Sequence, residues 1–151
     1  MLVLYGYHPT EDYAIDVALA LDKLNLERVI VKEFVPRKRD YGKFLRENKA
    51  NWILDLHSES TEGRILPPSE ILDTKSLGII SWGWRHDYNA LMEKFFREHY
   101  NGEEILSYGK AGTIQRIHSG CFLLGLLWYR PLEQSLELVK KLTDYLKGSS
   151  P

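Results

Sequence analysis

Cysteine is almost missing from this chain. Cys121 is the only one in 151 residues, so no internal disulfide can form and no cysteine-rich zinc module exists. A dominant charge is missing too. The 20 Lys and Arg side chains stand against 21 Asp and Glu, a formal net charge of -1, which provides no broad field for gathering nucleic acid or anionic lipid. Neither nucleic acid nor membrane is expected as a partner. Long apolar runs are absent as well: the longest, from Cys121 to Tyr129, falls far short of the roughly 20 residues that cross a bilayer as a helix. No charged leader or cleavage-site pattern precedes the first apolar run, and Met1 leads straight into a strand-like segment. A soluble cytoplasmic protein is the expectation.

What is present suffices for one core. With 44% hydrophobic residues, a chain of this length supports a single domain over residues 1–147, with 148–151 as a loose tail. Residues 2–7 read as a first buried strand. Tyr13, Val17, Leu21 and Leu24 recur at helical spacing, which predicts an amphipathic helix over about 11–24 with Glu11 at its entrance. A second strand over 28–34 closes a βαβ unit. Asp40 can cap a short helix over 41–47, and a strand follows that ends at His57. Residues 58–69, rich in Ser, Thr, Glu, Gly and Pro, read as a long irregular loop. Later elements are a strand at 77–81, then a helix over 88–100 capped by Asp87, with Leu91, Phe95 and Phe96 or His99 facing inward. Weak strands at 104–108 and 113–118 pair as a hairpin. A firmer strand at 122–129 precedes a closing helix from Pro131 to Leu146. No internal repeat is present. The alternation predicts an α/β protein: a three-layer sandwich around a mostly parallel sheet with a late antiparallel excursion.

Two strand ends carry the chemistry. Tyr5-Gly6-Tyr7-His8-Pro9-Thr10-Glu11 and Trp52-Ile53-Leu54-Asp55-Leu56-His57 both stop abruptly in residues able to hold a metal. In open α/β sheets, ligands collect beyond the carboxyl ends of the strands, so these distant segments can meet. His8, Glu11 and His57 would then supply two imidazoles and a carboxylate, a common catalytic zinc set that leaves a position open for water. Asp55 shares a strand face with His57 and is placed to orient it or to accept a substrate group. His118, Ser119 and Cys121 do not form a catalytic group, because strand neighbours point to opposite faces; Cys121 reads as a buried, inert thiol.

His-x-x-Glu after a first strand, with Asp-Leu-His-Ser ending a later one, resembles the zinc carboxypeptidase superfamily. The nearer likeness is to its compact deacylase branch, typified by aspartoacylase and succinylglutamate desuccinylase, and to N-formylglutamate amidohydrolase. The resemblance covers the first 70 residues and implies zinc held by His8, Glu11 and His57. It also implies hydrolysis of an amide in a small carboxylate-bearing N-acyl amino acid or peptide-like substrate. This chain departs from the pattern where the family places its general-base glutamate, because Leu124 to Arg130 contains no carboxylate. Glu59, tethered beside a ligand, and Glu133, just beyond the late strand, are the candidates for that role. For gripping a substrate carboxylate, Arg64 leads, followed by Arg37, Arg39 and Arg85. The chain is shorter than typical relatives, which implies an open, shallow pocket or a site completed by a second subunit of a homo-oligomer. The alternative is a non-catalytic metal- or ligand-binding protein on a degenerate hydrolase scaffold.

Overall fold

The computed structural model describes residues 1–8, 10–34, 40–58, 77–82, 88–100, 107–108 and 118–149. Along the chain these form β1 (Leu2–Tyr5), α1 (Asp12–Lys23), β2 (Ile30–Glu33), α2 (Tyr41–Glu47) and β3 (Ile53–Ser58). Then come β4 (Gly78–Trp82), α3 (Tyr88–His99), β5 (Ser107–Tyr108), β6 (Cys121–Leu126) and α4 (Leu132–Lys147). The strands make one α/β sheet in the order β2-β1-β3-β6-β4-β5. Its first four members are mutually parallel. β4 runs antiparallel to β6, and β5 runs parallel to β4.

Alternation along the strands sorts the side chains into two apolar clusters, one on each face. Val3, Leu54, Leu56, Phe122, Leu124 and Leu126 meet Ala14, Val17, Ala18 and Leu21 of α1. The same cluster takes in Leu138, Val139, Leu142 and Leu146 of α4. On the opposite face, Leu2, Leu4, Ile53 and Cys121 pack with Phe34 and with Phe44 and Leu45 of α2. Each fully buried leucine contributes about 1.5–3 kcal/mol by leaving water.

The connections fix where a site can form. β1 leads through α1 to β2 on one side, and β2 then returns through α2 past β1 to β3 on the other. Right-handed crossovers that run in opposite directions put their helices on opposite faces, which agrees with α1 and α2 belonging to different clusters. The reversal opens a crevice between the carboxyl ends of β1 and β3, where doubly wound sheets gather their ligands.

Several expected boundaries shift for local reasons. The second strand begins at Ile30, not residue 28, because Asn25 and Arg28 take positive φ of 47° and 59° in the preceding turn. The late strand stops at Leu126 and not 129, because Arg130 N–H donates to the Leu127 carbonyl and closes a turn. On α3 the deepest residues are Tyr88, Met92 and Phe95, while Leu91 and Phe96 are half-buried and His99 is exposed. Ser107–Tyr108 pairs in parallel with β4; the rest of the expected hairpin, residues 104–106 and 113–117, lies outside the described residues, as does Asp87. The short helix matches its expected range, and Asp40 Oδ1 accepts the Lys43 N–H at 2.9 Å. Among the described residues no helix is long and apolar enough to cross a membrane.

Candidate metal centre

Gly6 ends β1 with φ of +81°, a left-handed conformation in which any side chain would be strained, and this turns the chain out of the sheet. Tyr7 and His8 follow. A hydrogen bond of 3.1 Å from Glu11 N–H to the His8 carbonyl then draws these two candidate ligands onto the same side of the turn. Glu11 occupies the N-cap position of α1, yet its side chain makes no capping bond. The cap is supplied from a different strand: Ser58 Oγ, at the end of β3, accepts the Ala14 N–H at 3.0 Å. This exchange satisfies one of the helix's orphan donors and leaves the Glu11 carboxylate available to the crevice.

His57 reaches the same crevice from β3. In register it stands opposite Gly125 of β6, where no side chain competes for its space. Its two ring nitrogens each face a carboxylate: Nε2 lies 3.0 Å from Asp55 Oδ2, and Nδ1 lies 3.3 Å from Glu11 Oε1. All three side chains are largely buried, at 12% exposure for His57, 10% for Glu11 and 3% for Asp55. Burial by itself pulls the imidazole pKa down, but the hydrogen bonds and negative charges of Asp55 and Glu11 outweigh it, and the pKa is pushed up to about 10. Without a competing ligand, His57 is therefore an imidazolium at neutral pH.

His8, Glu11 and His57 each bring one ligand atom to within 4.8 Å of the others, so the three could hold a metal ion. A tetrahedral ion with ligands at about 2.0–2.1 Å would separate them by roughly 3.4 Å, so the set must close slightly. His8, the exposed member, has room to rotate. Two features of the chain fit a cation here. Glu11 Oε2 is buried and lies 3.2 Å from His57 Nδ1 outside hydrogen-bond geometry, so among the described residues it has no donor. A carboxylate oxygen away from water is stabilised by positive charge, which the His57 imidazolium supplies here and which a metal ion would supply on displacing the Nδ1 proton. Asp55, meanwhile, engages Nε2 and so holds the ring with Nδ1 facing Glu11, the arrangement by which carboxylates orient metal-binding histidines.

No protein-family model matches this chain, and no curated protein matches it. The functional reading therefore rests on the site itself.

The remaining expected site residues divide in two. Glu59, Arg64, Arg37, Arg39 and Arg85 lie outside the described residues. Glu133 sits exposed in the first turn of α4, close enough to Tyr13 for its charge to help raise the phenol's pKa, though burial raises it more. The Tyr13 hydroxyl donates to the Arg130 carbonyl at 2.7 Å and also meets Ser135 Oγ at 2.8 Å, pinning the β6–α4 connection to α1. His118 has a structural role. Its Nδ1 accepts the Gly120 N–H and its Nε2 donates to the Ala50 carbonyl, both at 3.1 Å, which requires the neutral ring. Two features escaped sequence reasoning: the cap from Ser58 and the packing of Tyr7. Asp-Leu-His-Ser held the first, but no spacing rule links a strand-end serine to a helix forty residues earlier.

Proposed function

We propose that this chain is a zinc-dependent hydrolase that cleaves an amide bond in a small carboxylate-bearing substrate, an N-acyl amino acid or a peptide-like molecule. The convergence of His8, Glu11 and His57 at the crevice between β1 and β3 carries this reading. The likeness of the His-x-x-Glu and Asp-Leu-His-Ser segments to the zinc carboxypeptidase superfamily and its deacylases supports it. So does the packing of α1 and α4 in one apolar cluster and of α2 in the other.

His8, Glu11 and His57 would hold the metal, which when bound supplies a Lewis acid and an acidified water. Asp55 holds the His57 ring by its Nε2 proton and keeps Nδ1 directed at Glu11. Glu59 or Glu133 would take the proton from the attacking water and return it to the departing amine. Arg64, Arg37, Arg39 or Arg85 would bind the substrate carboxylate through paired N–H donors. A cytoplasmic setting agrees with the lack of any internal disulfide, Cys121 being the sole cysteine and buried.

The test begins with metal content. Protein purified without added zinc should carry close to one equivalent, and His8→Ala and His57→Ala should carry far less; equal content in all three removes the basis of the proposal. Turnover across N-acyl amino acids and dipeptides comes next. A second reading, a metal-binding protein without catalysis, is favoured by one observation: β6 and the turn after it, through Arg130, present no carboxylate to the crevice. Hydrolysis that disappears in Glu59→Gln or Glu133→Gln would discard that reading.

A further inference from the structure

The two candidate histidine ligands are held differently. His57 is fixed by carboxylates on both ring nitrogens, whereas among the described residues no hydrogen bond holds the His8 imidazole. His8 is also the exposed member of the trio, so solvent does nothing to confine it. A ligand free to sample several rotamers must be ordered at the moment of binding, and that entropy weakens the site.

One side chain touches both imidazoles. The Tyr7 ring meets His8 edge-to-face, with centroids 4.6 Å apart and planes at 83°, and it meets His57 at 5.4 Å with planes at 46°. Tyr7 is itself anchored, stacked on Phe34 at 5.7 Å with planes only 6° apart. Phe34 is 1% exposed and is wedged edge-to-face against Phe44 of α2 at 4.7 Å. A continuous run of rings therefore links the buried face of the sheet to the one member of the trio whose side chain has no hydrogen bond among the described residues. Edge-to-face pairs of this kind add to the area they bury enough to favour one ring orientation several-fold.

We infer that Tyr7 is a positioning residue for the metal centre, its ring fixing the His8 imidazole against His57 as the Asp55 carboxylate fixes His57. This inference rests on the metal-binding reading of His8, Glu11 and His57. It concerns the ring and not the phenol oxygen, because the contacts to both histidines are made ring to ring.

The experiment compares wild type, Tyr7→Phe, Tyr7→Leu and Tyr7→Ala, using cobalt(II) and zinc as probes. Zinc affinity is read by competition with a chromophoric chelator, and the ligand set by the visible absorption of the cobalt form at saturation. Tyr7→Phe should match wild type in both. Tyr7→Leu, which keeps apolar bulk without the ring edge, and Tyr7→Ala should each lose several-fold in zinc affinity, the size of the orientational preference that the ring contact confers. Their saturated cobalt spectra should also change in band position or intensity, which a loss of stability alone would not produce. If Tyr7→Ala does not fold, Tyr7→Leu decides. Wild type that binds neither metal overturns the metal-binding reading and this inference with it. Wild type that binds, with Tyr7→Leu unchanged in affinity and spectrum, overturns the inference alone. A Tyr7→Phe variant as weak as Tyr7→Leu also overturns it, by moving the role to the hydroxyl.

Discussion

Replacing His57 with alanine would remove the imidazolium that both Glu11 and Asp55 engage. Their side chains are 10% and 3% exposed, so water can do little to screen them. Removing one side of such a buried charge arrangement costs about 3–5 kcal/mol. The imidazole's own titration points to the same order: a pKa raised from 6.5 to about 10, at about 1.4 kcal/mol for each tenfold change in proton affinity, corresponds to several kcal/mol. The direction with pH follows from linkage. The folded-state pKa lies above the unfolded one, so the stabilisation is fully present below about pH 6.5 and is lost as the pH rises through about 10. Urea unfolding of chelator-treated wild type and His57→Ala should differ by about 3–5 kcal/mol at pH 6, and the gap should narrow steadily toward pH 10. Chelator matters here, because any metal bound only by the folded wild type would widen the gap by mass action. A loss under about 1 kcal/mol at pH 6, or a gap independent of pH, would refute the account of His57 as an imidazolium clamped by two carboxylates.

Three further outcomes are expected. Ser58→Ala should destabilise the fold by about 1–2 kcal/mol in urea, through loss of the cap on Ala14 N–H, and a smaller loss than Asp40→Ala causes at its exposed cap would count against it. Gly6→Ala should cost about 1–2 kcal/mol, because φ of +81° is unfavourable for a residue with Cβ, and should lower metal content by displacing Tyr7 and His8. Burial holds His118 below the usual imidazole range, with its bond to the Ala50 carbonyl opposing in part, so its contribution is present above about pH 6.5 and is lost as the pH falls. His118→Gln should flatten that acid-side loss in urea titrations between pH 7 and 5; an unchanged slope would contradict the neutral, doubly bonded ring.

The sequence made a good deal of this protein legible because local rules apply where neighbours in the chain are also neighbours in space. Tyr41–Glu47 follows from Asp40 and the helix formers after it, and α1 from the recurrence of Tyr13, Val17 and Leu21, although Leu24 falls just past its end and is exposed. Even the grouping of His8, Glu11 and His57, which could hold a metal ion, was legible, since short apolar runs ending in His8 and His57 imply strand ends, and strand ends in such sheets converge. Reading failed where the outcome depended on partners far along the chain. The inward face of α3 is set by what β6 and α4 present to it, so Tyr88 and Met92 sink below Leu91. β4 borders β6, which comes much later in the chain, and no nearest-neighbour pattern predicts that pairing.

From composition and spacing alone come the α/β class, the alternation of buried and solvent faces, and the residue types gathered at two strand ends. These depend only on period, cap chemistry and the cost of burying charge. The strand order β2-β1-β3 belongs to the tertiary structure, and it creates the crevice. So do the cap lent by Ser58, the Asp55 hold on His57 and the stack from Phe44 through Phe34 to Tyr7. Each of these joins segments whose separation in sequence carries no signal, because contact between them is decided by which faces of the sheet the connecting helices cross.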